Sequence, residues 1–342
     1  MKSRSFLSLT LWVFSALALV GVISFLFWLE RDIEITGANP AHASPLATPR
    51  PKPLVTSSLA GERCENGQRR PIAVTIAGDP ITRPLSGISM ADLVVEMPVT
   101  PNGVTRMMAL FQCETPLEIG SIRSSRQDFL PLAAGWDVIY AHWGGEKESL
   151  DQLKTGILDE IDALVYEGTV FYRKEDIPRP HNGFTSLSNL IEHAQQEKFS
   201  LVDTFSGYPR LSDLPHPDIT TLVNTVDLPY PRPFDVHWVY DQTQNVYRRS
   251  RNGRPETDRV AMRDVSASVV IILETTGKPL RDQYVRIDVQ GQGSAIIYQN
   301  GMRIPSTWRK DPTNIDNPLR FFDAKGKEIK FTPGKIWIEI TK

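Results

Sequence analysis

The sequence predicts an α/β to α+β fold: a mixed, layered N-terminal domain, then a smaller β-rich domain, both behind an N-terminal transmembrane helix. Three observations predict it. Residues 6–29 form an uncharged, mostly apolar run. Between residues 70 and 208, β-branched runs alternate with helical patterns, as in layered α/β domains. Beyond a proline-rich break over residues 211–233, nearly every patterned run is strand-like.

Lys2 and Arg4 precede the apolar run, and Glu30, Arg31 and Asp32 end it. About 20 apolar residues cross ~30 Å of hydrocarbon, whereas the apolar core of a cleaved signal peptide spans only ~7–15. Residues 1–30 are therefore expected to be a membrane anchor, single-pass, with the N-terminus in the cytoplasm. Ala41-His42-Ala43 has the small-x-small form of a cleavage site but lies well past the run. Under either reading the body works outside the cytoplasm. Residues 31–57 contain Pro40, Pro45, Pro49, Pro51 and Pro53 and read as an extended linker.

The 342 residues suit two domains at ~100–200 residues each, expected over 58–215 and 226–342. With 38 basic and 40 acidic side chains, no basic excess points to nucleic acid and no acidic run to a disordered tail. In the first domain, residues 72–76, 91–96 and 106–113 read as strands. Residues 126–135 read as a helix that Pro131 would break or kink. Residues 136–142 read as a strand running into Gly144-Gly145, and 146–154 as an amphipathic helix. Thr185 is the expected cap of a helix over 188–197. In the second domain, residues 235–240, 245–249, 269–273, 284–289, 294–298 and 336–340 read as strands. Asn252-Gly253 and Asn300-Gly301 mark turns, the former a strong hairpin signal.

Cys64 and Cys113 are the two cysteines, each beside a strand-like run. In an exported body they are expected to form a disulfide. No cysteine stands near residues 20–30 for lipid attachment. Metal-ligand spacings such as CxxC or HExxH are missing, so no metal and no cofactor is expected. Nor does a GxSxG, P-loop or SxxK motif offer a nucleophile.

The densest polar set comprises Thr105-Arg106, then Gly120-Ser121-Ile122-Arg123-Ser124-Ser125-Arg126, then His142-Trp143-Gly144-Gly145 with Arg179-Pro180-His181-Asn182. Arginine's fork of donors suits phosphate and carboxylate, and a helical turn would put Arg123 and Arg126 on one face. Loops at strand ends are where α/β proteins place ligands. The predicted ligand-binding residues are Arg106, Arg123, Arg126, His142, Arg179, His181 and Asn182. The competing expectation is an internal salt-bridge network of the arginines with Asp92, Glu96 and Asp128, and a backbone partner for His142. His193 reads as a surface residue.

These clusters resemble the YerB-like family, a two-domain group of bacterial envelope lipoproteins of unassigned function. The resemblance runs from about Arg70 to Lys342. Beyond the clusters above, it rests on Arg83-Pro84-Leu85-Ser86-Gly87, Ala91-Asp92-Leu93-Val94-Val95-Glu96, Gly103-Val104-Thr105-Arg106, Gly253 with Asp258, residues 301–308, Asp323-Ala324-Lys325-Gly326 and Pro333-Gly334-Lys335-Ile336-Trp337-Ile338. It implies an envelope location and a two-domain fold, but no reaction. The chain departs from the family where a membrane helix stands in place of a lipid-modified cysteine. Residues 119–126 and 140–145 also loosely resemble the arginine loop and Gly-Gly turn of the LytR–CpsA–Psr phosphotransferases.

The expected function is binding of an anionic envelope ligand, a glycopolymer phosphate or peptidoglycan carboxylate, with the membrane as the other partner. Two alternatives stand beside it. One is a phosphotransferase acting on lipid-linked phosphate, with Asp92 holding Mg²⁺. The other is a structural scaffold.

Overall fold

The computed structural model describes residues 53–212, 222–281 and 283–342. The expected anchor helix, most of the linker and the middle of the proline-rich break lie outside the described residues. Among those described, no helix is long and apolar enough to cross a membrane.

Ten strands build the central sheet. Its order is Arg320–Phe322, Met302–Lys310, Gly291–Gln299, Val269–Glu274, Ile336–Thr341, Leu93–Pro98, Thr105–Phe111, Ile72–Ala77, Ile139–His142 and Glu160–Asp162. Ile336–Thr341 runs parallel to both Val269–Glu274 and Leu93–Pro98, with Ile336 opposite Leu93. A strand from the second domain is thus hydrogen-bonded to a strand of the first, and the sheet is continuous across them. The central strands are buried along their whole length. That is why they read as unbroken β-branched and apolar runs rather than alternating ones.

One face of the sheet carries Leu93, Val95, Met97, Met108, Leu110 and Tyr140, packed with Phe129, Leu132 and Trp136. Trp136 is fully buried, and its indole N–H donates to Tyr208 Oη at 2.9 Å. The other face carries Val94, Met107, Ala109 and Trp337, packed with Leu187 and Leu190 of helix Leu187–Gln196 and with Trp238 and Tyr247. The last two belong to a hairpin of Val236–Asp241 with Val246–Arg251. Burying each such large side chain contributes about 1.5–3 kcal/mol.

Several local expectations need correcting. Pro131 neither breaks nor kinks its helix. A 3₁₀ turn, Gln127–Phe129, leads into helix Leu130–Gly135, and the proline sits in the first turn, where no N–H is needed. Ser186, not Thr185, caps Leu187–Gln196, accepting from Asn189 N at 3.1 Å. Thr185 instead donates to Val170 O. His193 is buried, its ring 4.0 Å from that of Tyr166. Cys64 and Cys113 do form the expected disulfide, with Cα atoms 5.7 Å apart. It ties the short ribbon of Val55–Thr56 with Arg63–Cys64 to the end of Thr105–Phe111.

Candidate functional site

The site begins where strand Ile72–Ala77 ends. Ala77 lies opposite Arg106, and its N–H donates to Ser121 O at 3.0 Å. Arg123 N donates to Thr75 O at 2.9 Å, and Thr75 Oγ1 donates to Arg123 O. These bonds hold residues 121–126 against the strand end. The chain then turns sharply at Gly78-Asp79-Pro80. A Cβ on Gly78 would stand 2.4 Å from the Thr105 carbonyl oxygen, so this close approach requires glycine.

Three arginines and a histidine gather around this turn. Arg106 shares a sheet face with Met108 and Leu110, and Arg106 Nη1 donates to Ser124 O at 2.8 Å. Arg123 Nη1 donates to Pro180 O at 3.0 Å, which draws in the loop carrying His181. Arg126 Nη1 donates to Ser125 O at 2.9 Å, and its guanidinium lies 4.9 Å from the Tyr284 ring centre. Arg106 is 3% exposed and Arg126 9%, while Arg123, His181 and Asp79 are half-buried. Solvent therefore reaches the group from the Arg123, His181 and Asp79 side.

The group has more buried donors than acceptors. The Nε atoms of Arg106, Arg123 and Arg126 are all buried without a hydrogen-bond acceptor, as is Nδ1 of His181. Burial, then the Arg126 and Arg123 charges, press the Arg106 pKa well below its ordinary value. Burial followed by the Arg123 charge lowers that of His181. Asp79 opposes both shifts, and one of its carboxylate oxygens is itself buried without a donor. Glu146 Oε2 lies 4.0 Å from Arg126 Nε, while its other oxygen accepts from Gln127 N.

The carboxylates of the competing network turn elsewhere. Asp92 Oδ2 accepts from Gln112 N at 2.7 Å and Cys113 N at 3.0 Å. Asp92 thus braces a strand end, so it is not placed to hold Mg²⁺ beside the arginines. Asp128 takes Ile287 N and lies 2.9 Å from Arg286 Nε. Glu96 takes Arg249 at 2.5 Å and also Arg251.

The remaining predicted residues stay outside the group. His142 is fully buried, with Nδ1 2.9 Å from Gly144 O and Nε2 2.9 Å from Glu160 Oε2. The expected backbone partner is there, and neither ring nitrogen is left for a ligand. Asn182 is buried and braces its own loop, accepting from Arg173 Nη1 and donating to Lys174 O. Arg179 is exposed, and its charge acts on Glu167. Sequence reasoning missed Asp79. Its signal was the Gly-Asp-Pro turn directly after a buried strand.

Comparison with known proteins agrees with this architecture. Residues 59–200 match the N-terminal domain, and residues 226–338 the C-terminal domain, of a family described as a protein of unknown function (DUF3048). YerB of Bacillus subtilis (strain 168), a candidate lipoprotein, is 29% identical over 325 residues, covering 94% of each chain. The crystal structure of Bacillus subtilis YerB superposes with a TM-score of 0.74 at 28% identity, covering 84% of this chain and 96% of that one. With both domains matched in order and a relative aligned along nearly its full length, the chain belongs to the two-domain YerB-like family.

Proposed function

We propose that the protein is a membrane-anchored, extracytoplasmic binder of an anionic envelope ligand, held by Arg106, Arg123, Arg126 and His181. The observation that carries this reading is the row of three buried Nε donors without acceptors. Desolvated like charges are costly unless an anion or carboxylate answers them, and among the described residues Asp79, with Glu146 at 4.0 Å from Arg126 Nε, faces three guanidinium groups and an imidazole. A phosphate or carboxylate entering past Arg123 would supply the missing acceptors. The lipoprotein name of the Bacillus relative supports an envelope location. The apolar run over residues 6–29 would supply the anchor, crossing the bilayer once. No specific observation favours the phosphotransferase reading, whose metal ligand Asp92 is committed to backbone amides.

Calorimetric titration with orthophosphate at low ionic strength tests this. Arg123→Ala removes a half-buried side chain whose one hydrogen bond among the described residues is to Pro180 O. It should weaken orthophosphate about tenfold, the loss of roughly one charge-assisted contact, and leave the melting temperature nearly unchanged. Equal affinity in the variant would refute the site.

A further inference from the structure

On the other side of the 79–83 turn lies a cavity of 280 Å³. Pro80, Pro84, Pro233 and Pro255 form rigid apolar walls. Arg83, Arg251 and Arg254 bring positive charge to it, against the single carboxylate of Glu256. That carboxylate is already engaged by Arg83, Arg249 and Arg251. Arg251 is further tied to Glu96 and to Phe234 O. Arg254 differs from its neighbours: it is exposed at the cavity, and its side chain has no ion pair or hydrogen bond among the described residues.

The cavity and the arginine group flank one short piece of chain. Asp79 precedes the 3₁₀ turn Pro80–Thr82, and Arg83 follows it. The Asp79 charge is felt by Arg83 as well as by Arg106, Arg123 and His181. At 280 Å³ the cavity falls just under the ~300–1,000 Å³ of pockets that enclose a whole small molecule. It suits one unit of something longer. Prolines offer such a unit apolar contact, and Arg254 offers a charge at the mouth.

We propose that this cavity is a second anion subsite, and that the ligand is a polymer of repeating phosphate-bearing units that passes over the 79–83 turn from the arginine group to Arg254. This rests on the anion-binding reading of the arginine group. Occupying two subsites with one chain makes the second contact intramolecular, which raises affinity without any new kind of contact.

Linear polyphosphate of about 15 units, against orthophosphate, is the probe, its charge repeat standing in for the polymer. The wild-type chain should bind the long probe at least tenfold more tightly than orthophosphate, roughly the low end of bivalent gains. Arg254→Ala should cut that ratio about tenfold, the loss of roughly one charged contact. Arg303→Ala removes an exposed arginine on a strand near the far edge of the sheet, and the ratio should not move. The proposal is overturned if the wild type shows no preference for the long probe. It is equally overturned if Arg254→Ala keeps the ratio, or if Arg303→Ala lowers it as much. Should Arg123→Ala leave orthophosphate binding intact, the arginine-group reading fails instead.

Discussion

Glu96→Gln is the sharpest test of how the two domains are held together. Glu96 is fully buried on the sheet face opposite Arg106, beside Trp337 and Trp238. One carboxylate oxygen lies 2.5 Å from Arg249, and the other accepts from Arg251 and from Thr105 Oγ1. Burial alone would raise its pKa, but Arg251, Arg249 and the Thr105 hydroxyl hold it below the ordinary carboxylate range. The substitution keeps the shape and removes the charge. Breaking a buried pair from one side costs about 3–5 kcal/mol. Arg249 keeps Glu339 at 3.3 Å and Arg251 keeps Glu256 at 3.5 Å, so the lower end of that range is expected. At about 2–4 °C per kcal/mol for a body of this size, melting should drop by roughly 6–12 °C. Circular dichroism melts of both proteins, with urea unfolding as a second measure, decide it. Because the folded carboxyl is the stronger acid, the stability it lends is present above the unfolded carboxyl pKa and lost as pH falls through the folded one. The gap between the two proteins should therefore close in acid. A loss under ~1 kcal/mol would refute the reasoning, since that is what a surface ion pair contributes.

Other consequences follow from single sites. Cys64→Ser with Cys113→Ser opens a closure spanning 49 positions and should cost about 2–4 kcal/mol, read as a shift in the urea midpoint that reductant reproduces in the wild type. Burial pushes Asp128 up to about 7, outweighing the Ile287 amide and Arg286. The unfolded chain then ionises first as pH rises, so stability falls between about pH 4 and 7 by roughly 4 kcal/mol. Asp128→Asn should flatten that slope in melts taken across the range, and an unchanged slope would exclude the assignment. Burial and then the Arg123 charge lower the His181 pKa; protonating it adds a cation to the arginine group, so sulfate, whose charge is constant, should bind more tightly as pH falls below the ordinary histidine range. His181→Gln should remove that trend in a calorimetric series.

Much of the fold was legible because its central strands are buried on both faces. Residues 72–76 and 336–340 read as strands from β-branched content alone, and they form Ile72–Ala77 and Ile336–Thr341. What pattern cannot show is which strands become neighbours. Nothing local in residues 336–340 says that they pair with Leu93–Pro98, more than two hundred positions earlier. Caps and histidines failed for a related reason. Thr185 and Ser186 are both good capping residues, and only the backbone decides which hydroxyl meets Asn189 N. Helical periodicity put His193 near a polar face, but the ring of Tyr166, from another element, covers it.

The same limit explains why the arginines were only half legible, and it also separates two uses of one residue type. Arg83, Arg249 and Arg251 gather on one side of the structure with Glu96, Glu256 and Glu339. Indole rings of Trp337 and Trp238 lie 4.4 and 5.4 Å from the Arg249 guanidinium. There the cations are matched one for one by carboxylates, and the Arg249 side chain is fully buried. Around Glu96 and Arg249 this pairing fixes how elements from both domains seat on each other, while Arg83, Arg251 and Glu256 at its outer end line the cavity that reaches Arg254. Arg106, Arg123 and Arg126 gather on the other side with His181; Asp79 stands amid them, and Glu146 meets only Arg126 Nε, at 4.0 Å. What distinguishes the two clusters is the count of acceptors brought in from distant segments. On the first side each arginine lies within ion-pair distance of a glutamate, whereas Arg106 and Arg123 have carbonyl partners and no ion pair among the described residues. The mismatch around Asp79 is the observation on which the anion-binding proposal rests.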